Sequence, residues 1–383
     1  MMRAALTVGW LALAGILLGA CNLLMDDLEL KDADSGTADA DTDTDSDTDT
    51  DVDTDTDTDS DTCDPLTDCD GECVDLTSNP EHCGACDHDC LGANCVASAC
   101  DPIQLSDGMD TSTNAGNGFL SVGPDFVYWG YRSTPSGDFL YADKDGAATS
   151  CIVCDQGEPR ETVTTSSWVF WVDTVMDELR RAPLDGSTFT TLWSGQVGSP
   201  IAVDATYVYW WDEGVGNVMQ AEHDGSSPTQ VATGQANVVS IAAEGGWLYW
   251  TNGNDLMELE LSSPPAVTMV SGLTAARSLV ADSTHVYLAT GSWDVDEAIR
   301  RVPRGDTTLE LLDGVGGAYV IDLDATHVYA ANGPDGEIFR IPKDGGTPEV
   351  LATGQQYPFD IVVDDEAAYW SSEIDASLAK VAK

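Results

Sequence analysis

Five acids recur at one place in a repeating stretch: Asp204, Glu244, Asp282, Asp324 and Asp364, each six residues before the second position of a recurring aromatic pair. Carboxylates gathered in a ring are the oxygen donors a hard cation such as calcium takes. The same residues have a plainer use. Each opens a tight turn between two apolar runs, where Asp accepts backbone N–H bonds. The turn role is the expected one. His223, His285 and His327 are the histidines that follow residue 100. Any Ser-His-Asp or Cys-His chemistry in that part must run through one of them. His285 and His327 stand in STHVY and ATHVY, where Tyr207 stands in ATYVY. They are read as turn residues, and His223 as part of a hairpin.

Cysteines offer a second chemistry. Cys63, Cys69, Cys73, Cys83, Cys86, Cys90, Cys95 and Cys100 fall within one stretch shorter than forty residues. So short a segment builds little core and needs staples. In an exported chain those are disulfides, four of them with 105 possible pairings. Cys83-Gly-Ala-Cys86 has zinc-knuckle spacing and His82 and His88 lie nearby, but no second paired C-x-x-C accompanies it. Cys151 and Cys154 sit in SCIVC. An i,i+3 pair in a flat strand points to opposite faces, so their mutual bond, the expected pairing, needs a local turn.

A third group suits recognition. Tyr131, Arg132, Arg160, Trp211, Asp212, Glu213, Arg277, Trp293, Tyr319, Tyr357 and Phe359 fall in or beside loops that lead from one apolar run to the next. Aromatics and Arg next to polar groups are what binding hot spots use. The alternative for any one aromatic is packing inside the fold.

The elements that must hold these residues are periodic. The pair recurs as Tyr128-Trp129, Phe170-Trp171, Tyr209-Trp210, Tyr249-Trp250 and Tyr369-Trp370, with Tyr287-Leu288 and Tyr329-Ala330 filling the series. The steps are 42, 39, 40, 38, 42 and 40 residues, which makes seven units. Each unit has a run of small apolar residues (PIAVD, SIAAE, SLVAD, DIVVD), a turn, the aromatic strand, a polar loop, a third strand, a hairpin and a fourth strand. Asp-Gly marks the hairpin at 145–146, 185–186, 224–225 and 344–345, and predicts a type I′ turn. Four short strands per forty residues predict an all-β, seven-bladed β-propeller. The last unit stops after three strands. Pro102 to Gly108 (PIQLSDG) looks like the missing fourth, as in PEVLATG, and predicts ring closure by an N-terminal strand.

The words VYWWD, LYWTN and AYWSS resemble the YWTD propellers of the low-density-lipoprotein-receptor family and their relatives in exported bacterial lipoproteins. The resemblance spans residues 102–383 and implies a binding or scaffold protein rather than an enzyme. CDGECVDLTSNPEHCGACDHDC resembles the cysteine-rich repeat of stigma-specific-type proteins, which implies an extracellular spacer or interaction module. Seven-bladed lactonases hold calcium on the axis with acidic and amide ligands, and virginiamycin-type lyases use histidines and a glutamate. Asp322 and Asp360 are placed to approach the axis, but no convergent Glu/Asn/His set is legible.

The N-terminal part concerns address. Arg3 precedes the apolar Leu6–Leu18, and the segment ends Leu18-Gly19-Ala20-Cys21. The segment reads as a signal peptide, and its end resembles a bacterial lipobox. That resemblance implies cleavage after residue 20 and lipidation of Cys21. Asn22, where an Asp would resemble an inner-membrane retention signal, leans toward the outer membrane. From Asp41 to Asp61 every odd residue is Asp, and the even ones are Thr or Ser apart from Val52. Such a run has nothing to bury and repels itself. Residues 22–62 are therefore expected to be an extended spacer, with a limit of about 130 Å and weak calcium association at most. The net charge of −52 argues against nucleic acid and anionic lipid surfaces as partners.

The expected organisation is a signal peptide (1–20), a lipid-anchored Asp/Thr-rich spacer (21–62), a disulfide-rich module (63–100) and a propeller (101–383). The expected function is a non-enzymatic, monomeric binding or adhesion protein without a cofactor. It is anchored to the bacterial outer membrane by lipid alone, is displayed at the surface and takes a protein or glycan ligand. A periplasmic envelope-assembly scaffold and a calcium-dependent propeller hydrolase or lyase are the alternatives.

Overall fold

The structure is a computed structural model. It describes residues 63, 65–106, 117–131, 137–146, 149–154, 157–292, 295–314, 317–374 and 377–383. The signal segment, Cys21 and the Asp/Thr spacer lie outside the described residues, and so do Arg132 and Trp293.

The cysteine module has two small ribbons, β1 (Thr67–Cys69) with β2 (Glu72–Val74), and β3 (Cys95–Val96) with β4 (Ala99–Cys100). Its eight cysteines pair internally: Cys63–Cys73, Cys69–Cys86, Cys83–Cys95 and Cys90–Cys100. Cys83 and Cys86, the pair with zinc-knuckle spacing, are thus spent on bonds to Cys95 and Cys69. Cys83, Cys90, Cys95 and Cys100 share an apolar cluster with Tyr329, Ile338, Ile361 and Trp370, and Leu91 and Ala93 pack against it. The staples therefore also rest on the larger fold.

After β5 (Ile103–Ser106) come seven four-stranded antiparallel sheets. Blade 1 is β6 (Asn117–Val122), β7 (Phe126–Tyr131), β8 (Asp138–Asp143) and β9 (Thr149–Val153). Blade 2 is β10 (Pro159–Thr164), β11 (Trp168–Asp173), β12 (Glu178–Pro183) and β13 (Thr190–Ser194). Blade 3 is β14 (Val197–Val203), β15 (Tyr207–Asp212), β16 (Asn217–Glu222) and β17 (Thr229–Thr233). Blade 4 is β18 (Ile241–Glu244), β19 (Trp247–Asn252), β20 (Asp255–Glu260) and β21 (Val267–Val270). Blade 5 is β22 (Ser278–Ala281), β23 (His285–Ser292), β24 (Val295–Pro303) and β25 (Glu310–Asp313). Blade 6 is β26 (Ala318–Leu323), β27 (His327–Asn332), β28 (Glu337–Pro342) and β29 (Glu349–Ala352). Blade 7 is β30 (Pro358–Val363), β31 (Ala367–Ser372), β32 (Leu378–Ala382) and, as foreseen, β5. Leu378, Ala379 and Lys380 pair with Ser106, Gln104 and Ile103.

The second strand of each blade is covered on both faces by its neighbours, which is why it reads as a continuous apolar run. Trp129, Trp171, Trp210, Trp250 and Trp370 are all fully buried. A buried indole N–H wants an acceptor. Gln235 and Gln355, each after a Thr-Gly that ends the preceding blade, supply one to Trp250 (2.8 Å) and Trp370 (3.2 Å).

The Asp-Gly hairpins differ from the type I′ expectation. Gly146, Gly186, Gly225 and Gly345 have positive φ, but the preceding aspartates do not. Each glycine N–H bonds back three residues, to the carbonyls of Asp143, Pro183, Glu222 and Pro342. The glycine thus closes an ordinary β-turn in a loop longer than two residues, and the aspartate needs no left-handed backbone.

Four of the five recurring acids serve the turn, and they do so by one bonding scheme. Asp204 Oδ1 accepts the N–H groups of Thr206 and Tyr207 at 2.7 Å, and Oδ2 accepts the Tyr209 hydroxyl at 2.7 Å. Asp282, Asp324 and Asp364 repeat this pattern. Each then takes a lysine from the next blade round the ring: Lys343 at 2.8 Å, Lys383 at 2.9 Å and Lys144 at 2.7 Å. At the Glu244 joint the cation is Arg304, whose guanidinium lies over Trp247 and Tyr249. Where the repeat has Leu261 in place of a cation, Asp204 has only its turn and its tyrosine. Acid and lysine thus match across three blade joints, two of them joining residues about sixty positions apart and the third, Lys144 with Asp364, joining the two ends of the ring.

Candidate functional site

The inner strands line a central cavity of about 370 Å³ to which all seven blades contribute. One repeat position recurs in its wall in every blade but the third: the residue just before the one that pairs with the second aromatic position. Around the ring it is Phe119, Glu161, Pro200, Ser240, Ser278, Val320 and Asp360.

Three of these seven residues make the same tie. Ser240 Oγ accepts the N–H of Leu279 at 3.0 Å, Ser278 Oγ that of Ile321 at 3.3 Å, and Asp360 Oδ2 that of Leu120. Each bond crosses from one blade to the next. Asp360 Oδ1 also accepts the Ile361 N–H at 2.7 Å. Deeper in the wall, Asp322 accepts Leu323 N–H and, across the joint, Val363 N–H, both at 2.8 Å. Burial pushes Asp322 up to about 6 and Asp360 up to about 7, against the pull of those same N–H bonds. These two acids do approach the axis, and both oxygens of each are engaged by backbone. Glu161 occupies the Asp360 position of blade 2 and makes no hydrogen bond among the described residues. Burial, and after it the Asp360 charge, holds its carboxyl well above the ordinary range.

Bulges shape the mouth of the cavity. The first two strands slip in register at 117–120, 160–162, 197–201, 318–321 and 358–360, in blades 1, 2, 3, 6 and 7. Bulges re-aim side chains at barrel rims and beside binding sites. Here Phe119, Glu161, Tyr319 and Phe359 stand at the slips. Phe119 and Phe359 rings lie 6.1 Å apart, Phe359 and Tyr319 6.0 Å, and Tyr319 and Tyr357 6.4 Å. The Tyr319 and Tyr357 hydroxyls are 3.3 Å apart. That bond, ahead of burial, pushes the Tyr357 phenol up to about 12. The Arg277 guanidinium stacks 4.3 Å from the Tyr319 ring while its Nε donates to the Gly291 carbonyl at 2.8 Å.

Of the face residues named from sequence, the fold brings Arg277, Tyr319, Tyr357 and Phe359 together. Arg160 pairs with Glu158 at 3.0 Å. Trp211, Asp212 and Glu213 form a separate half-exposed rim on blade 3, where the indole lies against Gly198 and leaves no room for a β-carbon. Tyr131 is 6% exposed and belongs to the core between blades 7 and 1. Phe119 and Glu161 were missed. Aligning the seven units on the second aromatic would have put both in register with Asp360.

The histidines are turn residues. His285 and His327 bond the hydroxyls of Thr284 and Thr326 at 2.8 Å, and His223 contacts Phe170 and the Tyr207 carbonyl. Cys151 and Cys154 bond to each other, Cys154 lying just beyond the end of β9. Among the described residues, the acid, histidine and cysteine groups close enough to share a metal are Cys83/Cys90/Cys100 and Asp138/Cys151/Cys154, whose cysteines are in disulfides.

No protein-family model matches the chain, and no curated protein matches it. Solved structures do. A virginiamycin B lyase from Staphylococcus aureus is 13% identical, with TM-score 0.57 over 74% of this chain and 98% of that one. A chain of a mitotic checkpoint complex is 12% identical, with TM-score 0.59 over 74% and 90%. BamB from Moraxella catarrhalis is 13% identical, with TM-score 0.50 over 74% and 96%. At such identities the likeness is one of fold, and fold does not fix function.

Proposed function

We propose that this protein is a lipid-anchored, surface-displayed binding protein whose propeller engages a protein or glycan ligand at the channel mouth. The observation that carries the reading is the cluster of Arg277, Tyr319, Tyr357, Phe359 and Phe119, drawn from four blades. These are half-buried aromatics and an arginine around a cavity, the composition of a recognition hot spot. Binding also fits the acids better than catalysis does. Asp322 and Asp360 are held by backbone N–H groups on both oxygens, and the three propeller histidines are occupied at turns.

The lipobox-like Leu18-Gly19-Ala20-Cys21 and the Asp/Thr run support an anchor and stalk on the outer membrane. The stapled module, resembling a stigma-specific-type repeat, stands between stalk and ring. The net charge of −52 disfavours nucleic acid as the partner. Protease shaving of intact cells, with a periplasmic protein as control, tests the display reading. Release of the propeller from whole cells is expected. Protection until the outer membrane is broken sinks display and turns the search to envelope-assembly partners.

A further inference from the structure

The channel wall is acidic. Glu161, Asp322 and Asp360 line it, and among the described residues no Lys, Arg or His does. The charged residue beside Glu161 on its own strand, Arg160, is turned to Glu158. At the level of the mouth, Asp360, Phe119 and Glu161 follow one another on blades 7, 1 and 2. Phe119 thus falls between two acids in the order of the blades. Phe359 extends the aromatic wall outward, and Val320 and Ile361 line the cavity nearby.

Glu161 is the group without a task. Its counterparts Ser240, Ser278 and Asp360 all tie one blade to the next, whereas the Glu161 carboxyl makes no hydrogen bond among the described residues. A half-buried carboxyl facing a cavity, beside a second buried acid, costs stability unless something complements it. The complement must be positive. A metal ion fits poorly, since among the described residues Glu161 belongs to no cluster of three or more acid, histidine or thiol groups close enough to share one. A positive head on an apolar stem fits both halves of the wall.

We propose that the channel mouth binds an alkylammonium group, with the ammonium on the Glu161 carboxylate and the methylene stem along Phe119 and Phe359. The source is either a lysine side chain of a protein partner or a free alkylamine. Both present the same chemistry, charge-assisted hydrogen bonding to a carboxylate and contact with aromatic faces. The inference rests on the channel mouth being a binding site, and is independent of where the protein is displayed.

The test is calorimetric titration of the purified chain with two probes, cadaverine and a lysine blocked at both its amino and carboxyl groups. Saturable binding of at least one is expected, with 1-pentanol and glutarate inert. Because burial raises the Glu161 carboxyl above the ordinary range, ammonium binding should favour loss of its proton. The measured heat should then change with the buffer's heat of ionisation near pH 7. Glu161→Gln should weaken binding by about tenfold or more and abolish the proton release, and Phe119→Leu should weaken it severalfold. Near-ultraviolet dichroism confirms that each variant is folded, and Ser262→Ala, exposed and outside the cavity lining, is the control expected to bind normally. Binding of cadaverine alone identifies a free amine; binding of the blocked lysine identifies a protein side chain. No saturable heat with either probe, or equal binding by Glu161→Gln, overturns the proposal. Cell shaving is unaffected by either result, so the display reading stands or falls separately.

Discussion

Lys343→Met measures what a blade joint contributes. The ammonium of Lys343 on blade 6 lies 2.8 Å from Asp282 Oδ2 on blade 5, with the two side chains 12% and 20% exposed. Methionine keeps the stem near the Tyr287 ring, which the ammonium approaches to 5.6 Å, and removes only the charge. An exposed pair contributes under about 1 kcal/mol, and a hydrogen bond to a buried charge about 1.5–3 kcal/mol. This pair is largely buried, so Lys343→Met should cost about 2 kcal/mol. In a propeller of this size that is a melting temperature lower by about 4–8 °C.

Urea unfolding followed by tryptophan fluorescence gives the number. Asp282→Asn and the double variant complete a cycle with an expected coupling of about 1–2 kcal/mol. Burial opposes ionisation of Asp282, but the hydrogen bonds from Lys343, Thr284 and His285 together hold its carboxyl well below the ordinary 3.8. A depressed carboxyl contributes stability above its unfolded value and loses it as pH falls through its folded value. The Lys343→Met penalty should therefore be constant from pH 5 to 8 and fade below about pH 4. Additivity within 0.5 kcal/mol, or a penalty that persists at low pH, would refute the electrostatic account of the joint.

Other outcomes follow from the same geometry. Leu261→Lys gives Asp204 the cation its repeat position lacks and should stabilise by up to about 1 kcal/mol, read by the same urea melts. Asp173 is fully buried and bonds Arg180 at 2.9 Å as well as the N–H groups of Glu158, Val175 and Met176. Arg180→Met leaves that carboxylate without its counter-charge and should cost about 3–5 kcal/mol in a thermal melt. The channel acids titrate the opposite way from the turn acids. With Asp322 at about 6 and Asp360 at about 7, the folded state takes up protons before the unfolded chain does, so stability should rise as pH falls from 8 toward 5. Asp360→Asn should flatten that slope while costing a pH-independent amount for its altered N–H bonds, which melts at pH 5 and 8 separate.

The ring was legible because its signal is redundant. An aromatic pair at a period near forty, a turn acid at fixed offset and a three-strand final unit agree on one architecture. The closing strand Ile103–Ser106 was readable because it repeats the fourth-strand pattern. The site was harder for reasons of register. A bulge adds one residue to one strand and changes which side chain meets the channel, so strict alternation misplaces Phe119 and Glu161. Tyr131 misled in the other direction, as an aromatic at a loop boundary that is core. Asp282 and Lys343 look unrelated in the chain. They become neighbours only once the blade order is known and the hairpin of blade 6 is seen to lie over the turn of blade 5.

Chain order has a mechanical consequence. The strand that closes blade 7 follows directly from the cysteine module, so any pull from the N-terminal side reaches the ring at β5. Three residue pairs hold β5 to β32, and tension on a lone edge strand would peel them one at a time. The module changes the load path. Its crosslinks carry tension from Cys63 through to Cys100, and Cys90, Leu91 and Ala93 bear on the apolar seam of blades 6 and 7. Part of the force is thus delivered as compression and shear against packed side chains before it reaches the strand. The stapled segment is thus placed to act as a strain relief where the closing strand joins the ring.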